Sequence, residues 1–223
     1  MSLLPHYIHH VNPKLKHTYL SFDDEGTLII KSPKVSTEYL ERLLLNKSSW
    51  INNARKRLSL KKGKSLTFQG NELVYYRGEA YPLSLVPYEK RHTKLQFNGE
   101  IFILNYSVYD PVLFQKHIDN FYKKRATEYL PSIVEIWSQK MEVSYSDISF
   151  RKTKRQWGSC SSRNKLSFNT MVMKLPEHLI QYIVIHELAH ITHKHHQKKF
   201  WDFVVLYLPE YKTHIQELKE YTT

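Results

Sequence analysis

Cysteine and long apolar runs are what this sequence has least of. Cys160 is the sole cysteine among 223 residues, so an internal disulfide framework is excluded and a reducing compartment is indicated. No apolar run approaches the ~18 residues that a membrane-spanning helix needs. The first ten residues lack the charged-then-apolar build of a signal peptide. We therefore expect a soluble, cytoplasmic protein that does not use a membrane as a partner.

The sequence also lacks internal repeats and low-complexity linkers. Hydrophobic residues make up 41% and charged residues 24%, which is typical of a folded globular protein rather than a disordered one. Near residue 110 the apolar pattern changes from strand-like to helical. This change predicts an α+β protein with an N-terminal β-rich subdomain at residues 1–110, which includes one long helix. A second, mostly helical domain at residues 111–223 forms one compact unit with it.

Turn-forming residues divide the β-rich part into short extended runs. Residues 23–26 form the predicted turn of an early hairpin, and further turns are predicted at residues 70–71, 77–78 and 98–99. Between them, Ser36 is the predicted N-cap of a single helix that continues to Leu58.

The helical part begins at Pro111. An apolar stripe from Phe114 to Met141 predicts a helix that Pro131 kinks or splits. Two extended segments are predicted within residues 147–175, around a turn at residues 161–164. A further helix is predicted to start at residues 176–177, where proline is followed by an acid.

Basic residues outnumber acidic ones, 33 to 21, which gives a formal net charge of +12. The excess is equal in the two halves, because residues 1–110 carry 16 basic and 10 acidic side chains and residues 111–223 carry 17 and 11. Local concentrations at residues 55–64 and 151–165 indicate nucleic acid as a possible partner. Neither matches a helix-turn-helix, zinc-finger or RRM pattern, and a solvated charged face is the commoner explanation.

The predicted helix after residue 177 contains the pentad His186-Glu187-Leu188-Ala189-His190. Residues at i and i+4 lie on one helix face, so both imidazoles can reach one ion, while Glu187 can reach a water bound to it. The preceding residues, 179–185, are apolar enough for a buried helix, where two histidines need partners. A zinc ion supplies them. The alternative is two core histidines satisfied by the backbone or by Glu187.

A catalytic zinc usually takes three protein ligands and leaves a position for water. His193 follows His190 by three residues, but three ligands on successive turns of a straight helix do not surround an ion tetrahedrally. His196 is six residues after His190, which allows the chain to bend back. Glu210 and Glu217 are the alternatives to His196. The HExxHxxxxxH spacing is that of the metzincins, but the glycine and the methionine turn of that class are missing.

Six motifs resemble the YgjP-like metallopeptidases, relatives of the SprT-like zinc proteases. They are YRGEAYPL at 76–83, QWGSCS at 156–161, LSFN at 166–169, HELAH at 186–190, HHQKKFW at 195–201 and LPEY at 208–211. The resemblance covers nearly the whole chain. The sequence departs from the family pattern at two positions. Gln156 replaces a residue that is often basic in the family, and His195 replaces one that is often asparagine.

This resemblance implies a zincin-like metallopeptidase domain at residues 111–223 that hydrolyses protein or peptide substrates. It implies Zn²⁺ held by His186, His190 and His196, with Glu187 as general base. His193, His195 and Arg163 are candidates for a second oxyanion donor. Residues 165–171 are the candidate edge strand for substrate pairing. The pattern leaves the oligomeric state open.

Two other functions compete with the peptidase. The first is a nucleic-acid-associated protein, which the basic stretches and the SprT-like kinship favour. The second is a non-catalytic module with a structural zinc, which would need a fourth ligand. The run Trp157-Gly158-Ser159-Cys160 is interpreted as a packed turn rather than a cysteine nucleophile, since little around it would lower a thiol pKa.

Overall fold

A computed structural model describes residues 5–23 and 26–223. The chain forms two compact units that divide between Ser65 and Leu66. The border expected near residue 110 therefore falls inside the second unit, because the strands after residue 65 share a hydrophobic core with the long helix that follows them. None of the helices in the described ranges combines the length and the apolar character that a bilayer crossing requires.

In its described part, the first unit has three strands and two helices. They are β1 (Tyr7–Val11), β2 (Tyr19–Phe22), β3 (Leu28–Ser32), α1 (Thr37–Asn46) and α2 (Ser48–Ser59). β3 is central, parallel to β1 and antiparallel to β2, which confirms the early hairpin. Residues 24 and 25 of its predicted turn are outside the described residues. The core of this unit contains Leu28, Ile30, Leu40, Leu44 and Ile51.

The single helix predicted from Ser36 to Leu58 is wrong. Ser36 does cap α1, since its hydroxyl accepts a hydrogen bond from the Tyr39 amide at 3.2 Å. At Lys47, however, φ is −101° and ψ is 6°, and the chain leaves helical geometry before α2 begins. Every residue between Leu44 and Ile51 is exposed, so core packing does not require a continuous helix there.

The second unit carries two small sheets and four α-helices in its described chain, which is continuous from residue 66. The strands are β4 (Glu72–Tyr76), β5 (Glu79–Pro87), β6 (Lys94–Phe97), β7 (Phe102–Tyr106), β8 (Asp147–Arg151), β9 (Gly158–Cys160) and β10 (Lys165–Asn169). The helices are α3 (Pro111–Lys140), α4 (Glu177–Thr192), α5 (Lys198–Tyr207) and α6 (Tyr211–Leu218), with a 3-10 turn at Thr170–Lys174. The sheet orders are β4-β5-β7-β6 and β8-β10-β9. This mixture confirms the α+β class.

α3 is the central helix of the second unit. Asp110 caps it, because its carboxylate accepts hydrogen bonds from the amides of Val112 at 3.0 Å and Leu113 at 3.1 Å. Pro131 does not split it, and the helix runs unbroken to Lys140. Its buried stripe repeats every four residues, at Phe114, Ile118, Tyr122, Ala126, Leu130 and Val134.

The turn between β4 and β5 holds the start of α4. Arg77 and Gly78 form this two-residue turn with φ of 52° and 91°, as a primed hairpin turn requires. The Arg77 amide donates to the Met173 carbonyl at 2.8 Å, and its guanidinium donates to Glu177 at 2.7 Å. A β-carbon on Gly78 would lie 2.8 Å from Cβ of Pro176. The 76–83 motif thus anchors the helix that carries the histidine pair.

Candidate metal centre

Helix α4 places His186 and His190 one turn apart. Its buried residues include almost all of the run from Leu179 to Ala189, because the helix passes through the main core of the second unit. The ring centroids of His186 and His190 are 4.9 Å apart. Burial, with His190 and His196 alongside, lowers the pKa of His186 to about 3. Its imidazole is therefore neutral at pH 7, which is the form that binds a metal.

The chain reverses direction immediately after α4. His193 ends the helix in an extended conformation, with φ of −126° and ψ of 96°, and α5 begins at Lys198. The short segment between them brings His196 back to the pair, with its Nε2 2.9 Å from Nε2 of His186. The ligand atoms of His186, His190 and His196 all lie within 4.8 Å of one another. The bend predicted for the third ligand is therefore present.

The donor set fits a divalent metal. Three imidazole nitrogens that converge on one point suit Zn²⁺ in particular. Nδ1 of His190 donates to the His193 carbonyl at 3.0 Å, which leaves Nε2 for the ion. Such a contact orients the ring and fixes its tautomer. In the described part of the chain, no other His, Cys, Asp or Glu joins this group of three.

Aromatic side chains support the third histidine. The indole of Trp201 stacks on the His196 ring, with centroids 5.6 Å apart and an interplanar angle of 26°. The same indole also stacks on Tyr211, with centroids 4.9 Å apart and an interplanar angle of 15°. Phe200 is fully buried and contacts the rings of all three histidines. Phe200 is therefore part of the core behind His196. The stack of Trp201 on His196 was not expected from the sequence.

Glu187 is a buried carboxylate beside the triad. Glu187 is only 5% exposed, and its Oε2 has no hydrogen-bond partner among the described residues. Burial raises the pKa of this carboxyl to about 8. An adjacent divalent cation would favour the ionised form again. A desolvated carboxylate of this kind is suited to accept a proton.

Gly158 of β9 packs directly against the carboxylate of Glu187. In the run Trp157-Gly158-Ser159-Cys160, the last three residues form a strand beside α4 rather than the packed turn that was expected. A glycine within a strand often marks a close approach of another group, which is the signal that could have revealed this contact. The absence of a β-carbon is what leaves room for the glutamate.

Family comparison agrees with this geometry. A family model described as the YgjP-like metallopeptidase domain matches residues 16–221. The chain belongs to the YgjP-like metallopeptidase family. It is accordingly a metal-dependent peptidase that acts on protein or peptide substrates.

Two other comparisons gave less. A comparison with curated proteins gives no match. Among solved structures, the metallopeptidase zymogen jannalysin of Methanocaldococcus jannaschii is 26% identical, covers 39% of this chain and 93% of its own, and has a TM-score of 0.35. The zymogen abylysin of Pyrococcus abyssi is 22% identical, covers 42% and 98%, and has a TM-score of 0.36.

The substrate strand expected in this YgjP-like protein must be reassigned. Residues 165–171 include β10, which is hydrogen-bonded on both sides, parallel to β8 and antiparallel to β9. A strand paired on both sides cannot accept a further strand, so the prediction that this segment is an edge was wrong. The edge next to α4 is β9, since Gly158 contacts Glu187.

The other residues named from the sequence lie outside the triad. His193 contributes its carbonyl to His190, and its ring packs on Phe203. Arg163 is in the turn between β9 and β10, where its carbonyl accepts from Ser146. Of the two alternative ligands, Glu217 pairs with His178 at 2.7 Å, and Glu210 is not in the group of converging side chains.

Proposed function

We propose that this YgjP-like peptidase is a zinc-dependent endopeptidase. His186, His190 and His196 hold the ion, and Glu187 is the general base. The observation that carries the proposal is the convergence of three imidazoles beside one buried carboxylate. Zn²⁺ bound there supplies a Lewis acid that lowers the pKa of water and stabilises negative charge on a carbonyl oxygen.

Glu187 performs the proton transfers. Its carboxylate receives a proton from the attacking water and returns it to the nitrogen of the departing amine. Contact with Gly158 and burial under β9 restrict where the carboxylate can lie. This preorganisation keeps the base in reach of water while its burial excludes bulk solvent.

We further propose that the substrate adds to the free edge of β9. A peptide in extended conformation can pair with an unpaired strand through main-chain hydrogen bonds. β9 has β10 on one side only, and the contact of its Gly158 with Glu187 places the strand beside the proposed base. Binding there would align a peptide bond with the histidine triad.

A non-catalytic zinc module would require a fourth protein ligand. The group of three histidines has no such ligand among the described residues. This favours an open position and therefore a catalytic ion over a structural one.

The deciding experiment is Glu187→Gln with zinc content and hydrolysis measured on the same preparation. We expect about one zinc per chain to remain and hydrolysis of a denatured protein substrate to be lost. Glu128→Gln, on the exposed surface of α3, removes an equal charge and should keep both zinc and hydrolysis. If Glu187→Gln hydrolyses substrate at the wild-type rate, Glu187 is not the base.

A further inference from the structure

The positive charge of the protein is distributed unevenly between the two units that divide at residue 65. The first 65 residues carry 12 basic and 5 acidic side chains, and the remaining 158 carry 21 and 16. The first unit thus has more than half of the net charge in less than a third of the chain. No acidic residue occurs between Glu41 and Glu72. This unit has a charge distribution that suits an anionic partner.

Several cations in both basic stretches have partners, among them Arg55 and Lys64, which donate to carbonyl oxygens. In the stretch at 151–165, Arg151 donates to Ser159, Lys152 pairs with Asp119 at 2.8 Å, and Lys165 pairs with Asp147 at 2.6 Å. In the stretch at 55–64, neither Lys56 nor Arg57 has an ion pair with any described residue. Their charges are therefore available to a ligand.

One face of α2 combines these cations with exposed apolar groups. This α2 face consists of Trp50, Asn53, Lys56 and Arg57, together with Leu60 directly after the helix, and these residues line a shallow depression of about 440 Å³. Trp50 is 41% exposed and Leu60 is 69% exposed. The Trp50 ring is supported from behind by Phe22, with centroids 5.9 Å apart. The face thus presents an aromatic ring, an amide and two cations together.

We propose that the α2 face binds single-stranded nucleic acid. A single strand offers unpaired bases that stack on an aromatic ring and phosphates that pair with adjacent cations. Trp50 would take a base, while Lys56 and Arg57 would contact the phosphates. An anionic membrane fits less well. Trp50 and Leu60, the apolar members of the face, are ten residues or about 15 Å apart along the helix. They do not make the continuous apolar surface of an interfacial helix.

The test is fluorescence anisotropy of the full-length zinc-loaded protein with labelled 20-nucleotide single strands, as RNA and as DNA. With the two phosphate contacts of Lys56 and Arg57, affinity should fall about seven-fold between 50 mM and 200 mM salt. The double substitution Lys56→Gln/Arg57→Gln should remove most of this salt-dependent loss and weaken binding at 50 mM salt. Trp50→Ala should weaken binding at least about five-fold without changing the salt dependence, and Trp50→Phe should restore it.

The matched control is Lys123→Gln/Lys124→Gln, which removes two exposed charges from α3 in the second unit. It should bind single strands with wild-type affinity and salt dependence. Unchanged thermal unfolding of each variant shows that the first unit is folded.

Three results would overturn the proposal. One is no binding to either single strand at 50 mM salt. Another is equal weakening by the α2 double substitution and by its control. The third is binding to phosphatidylserine vesicles but not to oligonucleotides, which would assign the face to a membrane surface.

Discussion

A β-carbon placed on Gly158 would lie 2.6 Å from Oε1 of Glu187 and 2.7 Å from its Cγ. Real β-carbons do not make contacts this short, so the space that an alanine would need is already filled by the glutamate. Strand β9 and helix α4 therefore determine together where the carboxylate lies.

Gly158→Ala should lower the rate of peptide hydrolysis about a hundred-fold, because it displaces the proposed base by a fraction of an ångström to an ångström. Zinc content should stay near one per chain, since none of the three histidines is moved. Gly99→Ala is the control, because its φ of 99° makes alanine strained but no atom lies within 4 Å of the added carbon. That variant should lose stability and keep its hydrolysis rate. Equal rates for Gly158→Ala and wild type would contradict the proposed position of Glu187.

His196→Ala should lose zinc on dialysis, because two imidazoles from one helix hold an ion far less tightly than three ligands. His195→Ala provides the matched control, since His195 is the adjacent residue and is not part of the converging group. Metal analysis after equal dialysis compares the two. Full zinc retention by His196→Ala would mean that the third ligand is elsewhere, and Glu210 and Glu217 would be substituted next.

Trp201→Ala should weaken zinc affinity by roughly 10- to 100-fold, the range for residues that orient a metal ligand. The reason is that the indole stacks on His196, and His196 lies in a segment that is neither helix nor strand. Trp201→Phe should recover most of the affinity because it keeps an aromatic face. Competition with a chromophoric chelator measures the dissociation constant. Val205→Ala, an exposed change on the same helix, should leave it unchanged, and an unaffected Trp201→Ala would remove Trp201 from this role.

Lys174 should make stability depend on pH in the alkaline range. Burial, with Lys152 nearby, lowers the pKa of this ammonium from 10.5 to about 8 in the folded protein. Between these values the unfolded chain binds more protons than the folded one, so the free energy of unfolding should rise with pH. The rise attributable to Lys174 is on the order of 3 kcal/mol.

Urea unfolding of wild type and Lys174→Met at pH 7, 8, 9 and 10 measures that contribution as a difference. Taking the difference cancels groups shared by both proteins, such as Cys160, whose pKa is raised by burial. Parallel pH profiles would show that Lys174 titrates alike in the folded and unfolded states.

Local signals in the sequence were enough to locate the histidine helix and its ligand candidates. Spacing alone placed His186 and His190 on one face, and the need for a bend indicated His196, which the structure brings within reach of the pair. The turns at residues 77–78 and 161–164 were also recognisable, because Gly78 and Asn164 adopt the left-handed backbone that such turns need.

Long-range relationships were not recognisable in the same way. β10 was taken as an edge strand, but the order β8-β10-β9 depends on which distant segments pair, and residue pattern does not encode that. The border near residue 110 followed from a change in periodicity. The structural division at residue 65 instead follows from which strands share a core with α3. The stack of Trp201 on His196 is likewise a tertiary contact, since spacing in sequence does not specify ring orientation.

The single cysteine provides a unique chemical reporter on strand β9. Side chains alternate along a strand, so Cys160 projects to the same side of β9 as Gly158, the side that meets Glu187. Cys160 is half-buried, and the chain contains no second thiol to react. Alkylation followed by mass spectrometry would therefore give a one-site footprint of this strand. A peptide lying along β9 should slow the labelling, which would register occupancy even in a variant that no longer cuts its substrate.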